Sequence, residues 1–268
     1  MTQDAPEILI SERIGAVHRL TLDDPKRLNA LSEEMLARLQ AEIDALAVDK
    51  TVKALVIRGT GKAFCAGHDL KQMQAARQAP DGGRGYYNAL FAQCARFMTS
   101  VRRLPIPVIA EVHGVATAAG CQLVATCDMA VAEEGARFGV NGVNIGLFCS
   151  TPMVALSRNI APKKAFEMLT TGAFVGAEEA ERLGLVNHVV PAEALSQAAL
   201  ELAGRVAEKL GAAVKIGKEA FYAQGEMSLD AAYAYTGRVM AENMLLRDTE
   251  EGVNAFLEKR KPDWAEGA

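Results

Sequence analysis

The sequence lacks the features that mark secreted, membrane or disulfide-rich proteins. Its cysteines are odd in number and form no Cys-x-x-Cys pair, which argues against a disulfide framework and a structural zinc site. No apolar run approaches the ~20 residues that span a bilayer. Residues 1–7 have neither the regions of a secretory signal nor the composition of a transit peptide. We therefore expect reduced thiols, no metal site, no membrane partner and a cytoplasmic location.

An excess of positive charge is also absent. The chain has 29 Lys and Arg against 33 Asp and Glu, a net charge of −4. No global field therefore attracts nucleic acid, and an anionic ligand must be held by local groups. Half of the 268 residues are hydrophobic, so the chain has the length and composition to bury a large core.

The hydrophobic pattern predicts an α/β protein. Residues 7–22 alternate as two short strands around Ile14 and Gly15, and from Ser32 the apolar residues recur at helical spacing. Further strands are predicted at 52–58 and 108–112, and further helices at 86–103 and 118–127. The connections are too long for hairpins, which favours mostly covered sheets.

After Pro191 the pattern is helical almost to the end, with segments near residues 192–210, 212–222, 229–246 and 249–259. We therefore predict a core at residues 1–191, followed by a helical region at residues 192–268.

Two loops rich in small residues follow predicted strands, at residues 63–70 and 114–122. Ligands collect at the carboxyl ends of strands in α/β proteins, and small side chains let a ligand approach backbone N–H groups. Two such donors on one oxygen would stabilise an enolate or a tetrahedral oxyanion, at ~3 kcal/mol per donor. Close packing of a helix on a strand would explain the same small residues.

Several stretches resemble, in order, the signatures of the crotonase family, the enoyl-CoA hydratases and isomerases. They lie at residues 25–31, 64–70, 119–128 and 184–191 and span nearly the whole chain. A further stretch at 142–152 resembles one member of that family in particular. The resemblance implies a spiral of ββα units and a C-terminal α-helical region that forms trimers, often paired as a dimer of trimers.

The same resemblance implies that the ligand is an acyl-CoA thioester, with coenzyme A as part of the substrate and no separate cofactor. It implies an oxyanion hole formed by the N–H of His68, which follows Ala66 and Gly67, and by the N–H of Ala119, which precedes Gly120. Alanine replaces a common glycine at position 119, and this is tolerated if φ there is negative.

The resemblance also implies residues that contact the rest of the ligand. Lys26, Arg27, Lys259 and Lys261 match places where relatives contact CoA phosphates, although a solvated basic helix end would explain the last two. Asn141 and Asn144 flank Gly142 and could hydrogen-bond an acyl substituent, although an asparagine in a turn is the alternative. Asp69 is expected to tie its own loop through backbone N–H groups.

The sequence departs from the family at the positions of the catalytic carboxylates. Hydratases of this family use two glutamates, and the aligned positions hold Gln122 and Gly142. Glutamine can orient a water but cannot exchange a proton near neutral pH, and glycine offers no group at all. Ser150 aligns with an aspartate of dienoyl-CoA isomerases and of a dehalogenase, but no base is adjacent in sequence to activate it.

His68 is the remaining titratable candidate, since its ordinary pKa of ~6.5 suits proton transfer. The alternative is that it supplies only its backbone N–H. Two functions stay open: an enzyme that works through an enolate, with His68, Gln122 or Ser150 handling protons or water, and a non-catalytic acyl-CoA-binding homo-oligomer.

Overall fold

The computed structural model of the protein describes residues 7–264. Its first two strands, β1 (Leu9–Ile14) and β2 (Val17–Leu22), form the antiparallel hairpin that the sequence predicts. Helix α1 (Glu33–Val48) begins after Ser32, whose hydroxyl accepts a hydrogen bond from the N–H of Met35 at 3.2 Å. All five apolar positions that define its helical period are buried, which confirms this prediction.

A six-stranded sheet forms the centre of the molecule, in the order β1-β2-β3-β4-β6-β9. Beyond the hairpin every neighbouring pair is parallel. The strands added are β3 (Ala54–Gly59), β4 (Val108–Val112), β6 (Met129–Glu133) and β9 (His188–Val190). The predicted α/β class is confirmed.

A second, smaller sheet contains β5 (Val115–Thr117), β7 (Arg137–Gly139) and β8 (Val175–Gly176). Strands β5 and β7 are parallel, and Cys65 forms a parallel bridge to Ala116 on the other side of β5. The chain thus passes three times from a strand of the large sheet to the small sheet and on to a helix. These are the ββα units that the resemblance implies. They bring the ends of three short extended segments to one edge of the small sheet.

Helices cover the large sheet on both faces. On one face the main hydrophobic core includes residues of α1, α3 (Arg84–Arg103) and α4 (Ala119–Thr126). The smaller helices of this part of the fold are α2 (Leu70–Ala76), α5 (Ser150–Leu156), α6 (Pro162–Thr171) and α7 (Ala177–Arg182).

On the other face, α8 (Leu195–Ala207) packs Leu195, Ala199 and Ala203 against the strands. This helix belongs to the region that we assign to residues 192–268, yet it completes the core. The boundary at 191 stays a prediction.

The last three helices are α9 (Gly211–Gln224), α10 (Leu229–Met244) and α11 (Arg247–Leu257). Lys218 anchors α9 to the core, because its Nζ lies 2.6 Å from Oδ2 of Asp128, while the hydroxyl of Tyr222 donates to Oδ1 at 2.7 Å. By contrast, α10 has no buried residue, and several large apolar side chains of the three helices are 67–82% exposed: Phe221, Leu229, Tyr233, Met240 and Phe256.

The thiols agree with the expectation of reduced cysteines, since all five are free and buried. Between residues 7 and 264, no helix is long and apolar enough to cross a membrane.

Candidate active site

The two loops that the sequence singles out meet at the edge of the small sheet. Gly67 has φ +89°, and a Cβ added there would lie 2.9 Å from the Cβ of Ala118 and 3.2 Å from the backbone nitrogen of Ala119. The N–H groups of His68 and Ala119 therefore lie on either side of one close contact. Within residues 7–264, neither of these N–H groups donates a hydrogen bond.

Backbone hydrogen bonds from the preceding chain hold the first loop. The N–H of Leu31 donates to the carbonyl of Gly67 at 2.7 Å, and the N–H of Ala66 donates to the carbonyl of Leu28 at 3.0 Å. Residues 25–31 thus form one side of the loop that ends in His68.

Asn29 stabilises that arrangement, and the sequence analysis did not single it out. Its side chain is fully buried, and its amide donates to two carbonyl oxygens at 2.8 Å, those of Thr60 and Ala63. Its Oδ1 accepts from the N–H of Asp24 at 2.9 Å. The available sequence signal was an asparagine between Leu28 and Ala30, a residue type that tolerates the positive φ of 55° found there.

The second loop turns sharply from β5 into α4. Ala118 has φ 50° and ψ −119°, a conformation that residues with a side chain rarely adopt. Ala119 is the first helical residue and has no positive φ, so the condition for alanine at that position is met. A Cβ at Gly120 would collide with the carbonyl of Cys65, which explains why glycine lies where α4 crosses the first loop.

His68 has a defined tautomer. Its Nδ1 lies 3.1 Å from the carbonyl oxygen of Leu31, which can only accept, so Nδ1 carries the hydrogen. Its Nε2 is then an acceptor, buried and without a partner in the described chain, and the ring meets Phe91 edge-on at 5.6 Å. Burial lowers the pKa of His68, so the ring is neutral near pH 7.

The two positions that align with the family's glutamates differ in their surroundings. Gln122 is buried on α4, and its Oε1 has no partner among residues 7–264. At Gly142 an added Cβ would collide with the carbonyl of Leu147 and lie 2.9 Å from Sγ of Cys149. A side chain at position 142 therefore requires its loop to move. Burial also raises the pKa of Cys149, which disfavours a reactive thiolate there.

Three other candidates have mainly local contacts. Ser150 is exposed at the start of α5, and its Oγ lies 3.4 Å from the carbonyl of Phe148, with no base beside it. Asn144 is exposed and packs against Gly172. Asp69 caps α2 by accepting from the N–H of Lys71 at 2.9 Å, which is the local role expected of it.

The basic candidates do not converge. Arg27 is 2.6 Å from a carboxylate oxygen of Asp24 and 3.5 Å from one of Asp69, which places it beside the first loop. Lys26 lies next to it in the same 3₁₀ turn. Lys259 and Lys261 are exposed after α11, and no contact found in residues 7–264 joins them to either loop.

Comparison with known proteins shows the family of the chain. The family model described as enoyl-CoA hydratase/isomerase matches residues 12–267. Enoyl-CoA hydratase domain-containing protein 3, mitochondrial, of Rattus norvegicus is 41% identical over 98% of this chain and 86% of its own length. The resemblance of residues 142–152 to one family member pointed to that same protein.

Solved structures show the same relationship. The crystal structure of human enoyl coenzyme A hydratase domain-containing protein 3 matches with a TM-score of 0.92 and 42% identity, over 96% of this chain and all of that one. An enoyl-CoA hydratase of Mycobacterium smegmatis matches with a TM-score of 0.93 and 53% identity, over 97% of this chain and 99% of that one. With a ββα spiral, C-terminal helices and a family match across nearly its whole length, the chain belongs to the crotonase family, the enoyl-CoA hydratases and isomerases.

Proposed function

We propose that the protein binds an acyl-CoA thioester and polarises its carbonyl between the N–H groups of His68 and Ala119. The observation that carries this proposal is the contact between Gly67 and the turn at Ala118 and Ala119, which pairs two unbonded donors. Such donors stabilise the negative oxygen of an enolate by ~3 kcal/mol each in favourable cases. The reaction class is that of the family's isomerases and lyases.

His68 is the proposed proton acceptor. Its Nε2 has a free lone pair in the neutral tautomer, and burial keeps the ring neutral. As Nε2 removes a proton from the saturated α carbon of a 3-enoyl thioester, the electron pair of the C–H bond moves to the oxygen in the hole. The protonated ring then returns the proton to a carbon of the same acyl chain, which shifts a double bond without an added reagent.

Hydration by two glutamates is not part of this proposal. Gln122 can orient a water, but no carboxylate stands at 122 or at 142. Since a general acid or base contributes ~10²–10⁴-fold, the absence of both leaves little hydration. The closed loop around Gly142 favours a second candidate, a non-catalytic acyl-CoA-binding protein that has kept the hole.

Two further proposals concern the rest of the ligand and the assembly. The residues proposed to bind CoA phosphates are Lys26, Arg27, Lys259 and Lys261. The last two would reach the ligand of a neighbouring subunit in the oligomer. The exposed apolar side chains of α9, α10 and α11 support self-association as a homotrimer or a dimer of trimers, which sedimentation velocity would measure. A cytoplasmic location stays a prediction; several relatives at about 41% identity are named as mitochondrial.

The test measures turnover of a 3-enoyl-CoA, and it compares binding of crotonyl-CoA and longer 2-enoyl-CoAs with binding of an S-alkyl-CoA thioether, which has no carbonyl. Gly67→Ala adds a methyl between the two donors, so we expect it to remove the preference for thioester and lower any turnover by about 10²–10³-fold. Gly15→Ala is the matched control, because Gly15 has φ +61° with no atom near its missing Cβ.

The outcomes separate the two candidates. Turnover in the wild type that is lost in His68→Asn, which retains a donor toward Leu31, supports the enzyme. Saturable thioester binding without turnover supports the non-catalytic protein. If Gly67→Ala binds thioester and thioether as the wild type does, the oxyanion hole is not at this contact.

A further inference from the structure

We propose that Asn141 is a positioning residue for the oxyanion hole. Its side chain holds Thr117, and through Thr117 it holds the turn that directs the N–H of Ala119. This inference rests on the proposed function, because it assigns a task to a residue outside the hole itself.

The direction of the Ala119 N–H depends on the conformation of the residue before it. This group belongs to the peptide that joins Ala118 to Ala119, and the plane of that peptide depends on ψ of Ala118. With φ 50° and ψ −119°, Ala118 is in a region that a residue with a Cβ leaves unless its neighbours hold it. The direction of the donor therefore depends on whatever fixes the turn.

Backbone contacts fix part of this turn. The N–H of Thr117 donates to the carbonyl of Cys65 at 3.0 Å, and the N–H of Ala118 donates to the carbonyl of Gly139 at 2.9 Å. Both bonds hold the end of β5 in the small sheet. The peptide that carries the Ala119 N–H is held at its other end, because the carbonyl of Ala118 accepts from the N–H of Gln122 at 3.0 Å in the first turn of α4.

One side-chain hydrogen bond reaches the turn from outside. The hydroxyl of Thr117 donates to Oδ1 of Asn141 at 2.5 Å, and within residues 7–264 no other side chain is bonded to Thr117, Ala118 or Ala119. Asn141 is the first residue of the 3₁₀ turn Asn141–Ile145. The next residue, Gly142, accepts a hydrogen bond at its carbonyl from the N–H of Leu147 at 2.9 Å. The loop that closes position 142 is thus tied to the turn that forms the hole.

The backbone hydrogen bonds of the turn and the side-chain bond from Asn141 have different effects when they are lost. Loss of the acceptor at Asn141 leaves the bonds of β5 intact, so the small sheet and the binding of the CoA portion are retained. The Ala118–Ala119 peptide then keeps its bond to the N–H of Gln122 but loses the side-chain contact that opposes relaxation of Ala118 toward an ordinary conformation. The donor turns away from the carbonyl position, and polarisation of the thioester weakens.

The experiment uses the full-length protein with crotonyl-CoA and with the thioether S-butyl-CoA. Asn141→Leu removes the acceptor at similar size, and Asn141→Asp keeps an oxygen in the same place. We expect Asn141→Leu to lower the ratio of thioester to thioether affinity by about tenfold, less than deletion of a donor would. The infrared carbonyl stretch of the bound thioester should shift less to low frequency than in the wild type. Asn141→Asp should restore both values.

An Asn141→Leu protein with the wild-type affinity ratio and carbonyl frequency overturns the proposal. If that variant does not fold, Thr117→Val tests the same bond, with Thr117→Ser as its control. A wild type without preference for the thioester contradicts the proposed function instead. In that event a crystal structure of the variant still decides the positioning role: φ of Ala118 becomes negative if the inference is right and stays near +50° if it is wrong.

Discussion

Substituting glycine for Ala118 should stabilise the protein, although most replacements of a half-buried alanine by glycine destabilise. Ala118 has φ 50° and ψ −119°, where its Cβ is crowded by its own backbone. Its Cβ also faces Gly67, because a side chain there would meet it at 2.9 Å. Glycine removes this crowding at the one position of the turn that needs it.

Three contributions set the size of the effect. Relief of the backbone conformation contributes about 1–3 kcal/mol. Greater freedom of the unfolded chain with glycine costs about 0.4–1 kcal/mol. Loss of a half-buried methyl costs about 0.4 kcal/mol, half the value for a fully buried one. We therefore expect the free energy of unfolding to rise by about 1 kcal/mol.

Ala116→Gly is the matched control, since Ala116 is fully buried in β5 and has no positive φ. It should lower the free energy of unfolding by about 1.5 kcal/mol, from the methyl and the chain entropy together. Urea unfolding followed by far-ultraviolet circular dichroism, at one protein concentration, measures both variants. If Ala118→Gly destabilises as much as Ala116→Gly, no strain is stored at this turn, and the argument for Asn141 loses its basis.

Two further predictions concern the same edge of the sheet. Because burial lowers the pKa of His68 below its ordinary value of about 6.5, the unfolded chain takes up a proton at higher pH than the folded one. The free energy of unfolding should therefore fall as pH drops through about 6.5 and level off below the folded-state pKa; an equal fall in His68→Asn would contradict this. Gly142→Ala should lower the free energy of unfolding by more than 1 kcal/mol, because the new Cβ collides with a carbonyl of its own loop. Gly204→Ala, in open space on α8, should raise it by about 0.5–1 kcal/mol, and a similar change in both proteins would show that the loop at 142 moves freely.

The sequence predicts those elements of the fold that are long enough for their hydrophobic period to be recognised. Helix α1 is correct to its cap at Ser32 and to its buried face, because sixteen residues contain more than four helical turns. The strand at 108–112 is predicted with its observed bounds. Strands β5 and β7 have three residues each, too few for a period of two to be visible, so the small sheet was not predicted.

The candidate site depends on that missed sheet. Local sequence marks residues 63–70 and 114–122 as loops with small side chains, but their contact follows from the bridge between Cys65 and Ala116, which no local pattern contains. The negative φ required of Ala119 is met, but the strain at the residue before it was not predicted. Helix α4 begins at Ala119, so Ala119 has helical geometry and the preceding residue carries the positive φ. Thr117 and Asn141 are separated by 24 positions, and their hydrogen bond required the fold.

In this site the donors of the proposed oxyanion hole and the positions of the family's glutamates, 122 and 142, are on different residues. Both donors of the proposed hole are backbone groups, so their positions depend on Gly67, on the turn at Ala118 and on the strand ends, and not on a side chain at 122. A substitution at 122 can remove an acid without moving either donor, whereas a side chain at 142 moves the loop that Asn141 ties to the turn. The N–H of His68 belongs to the proposed hole, and within residues 7–264 its buried Nε2 has no partner. Among the predicted candidates, the His68 ring has the free lone pair that the proposed proton transfer needs, and its lowered pKa keeps it neutral near pH 7.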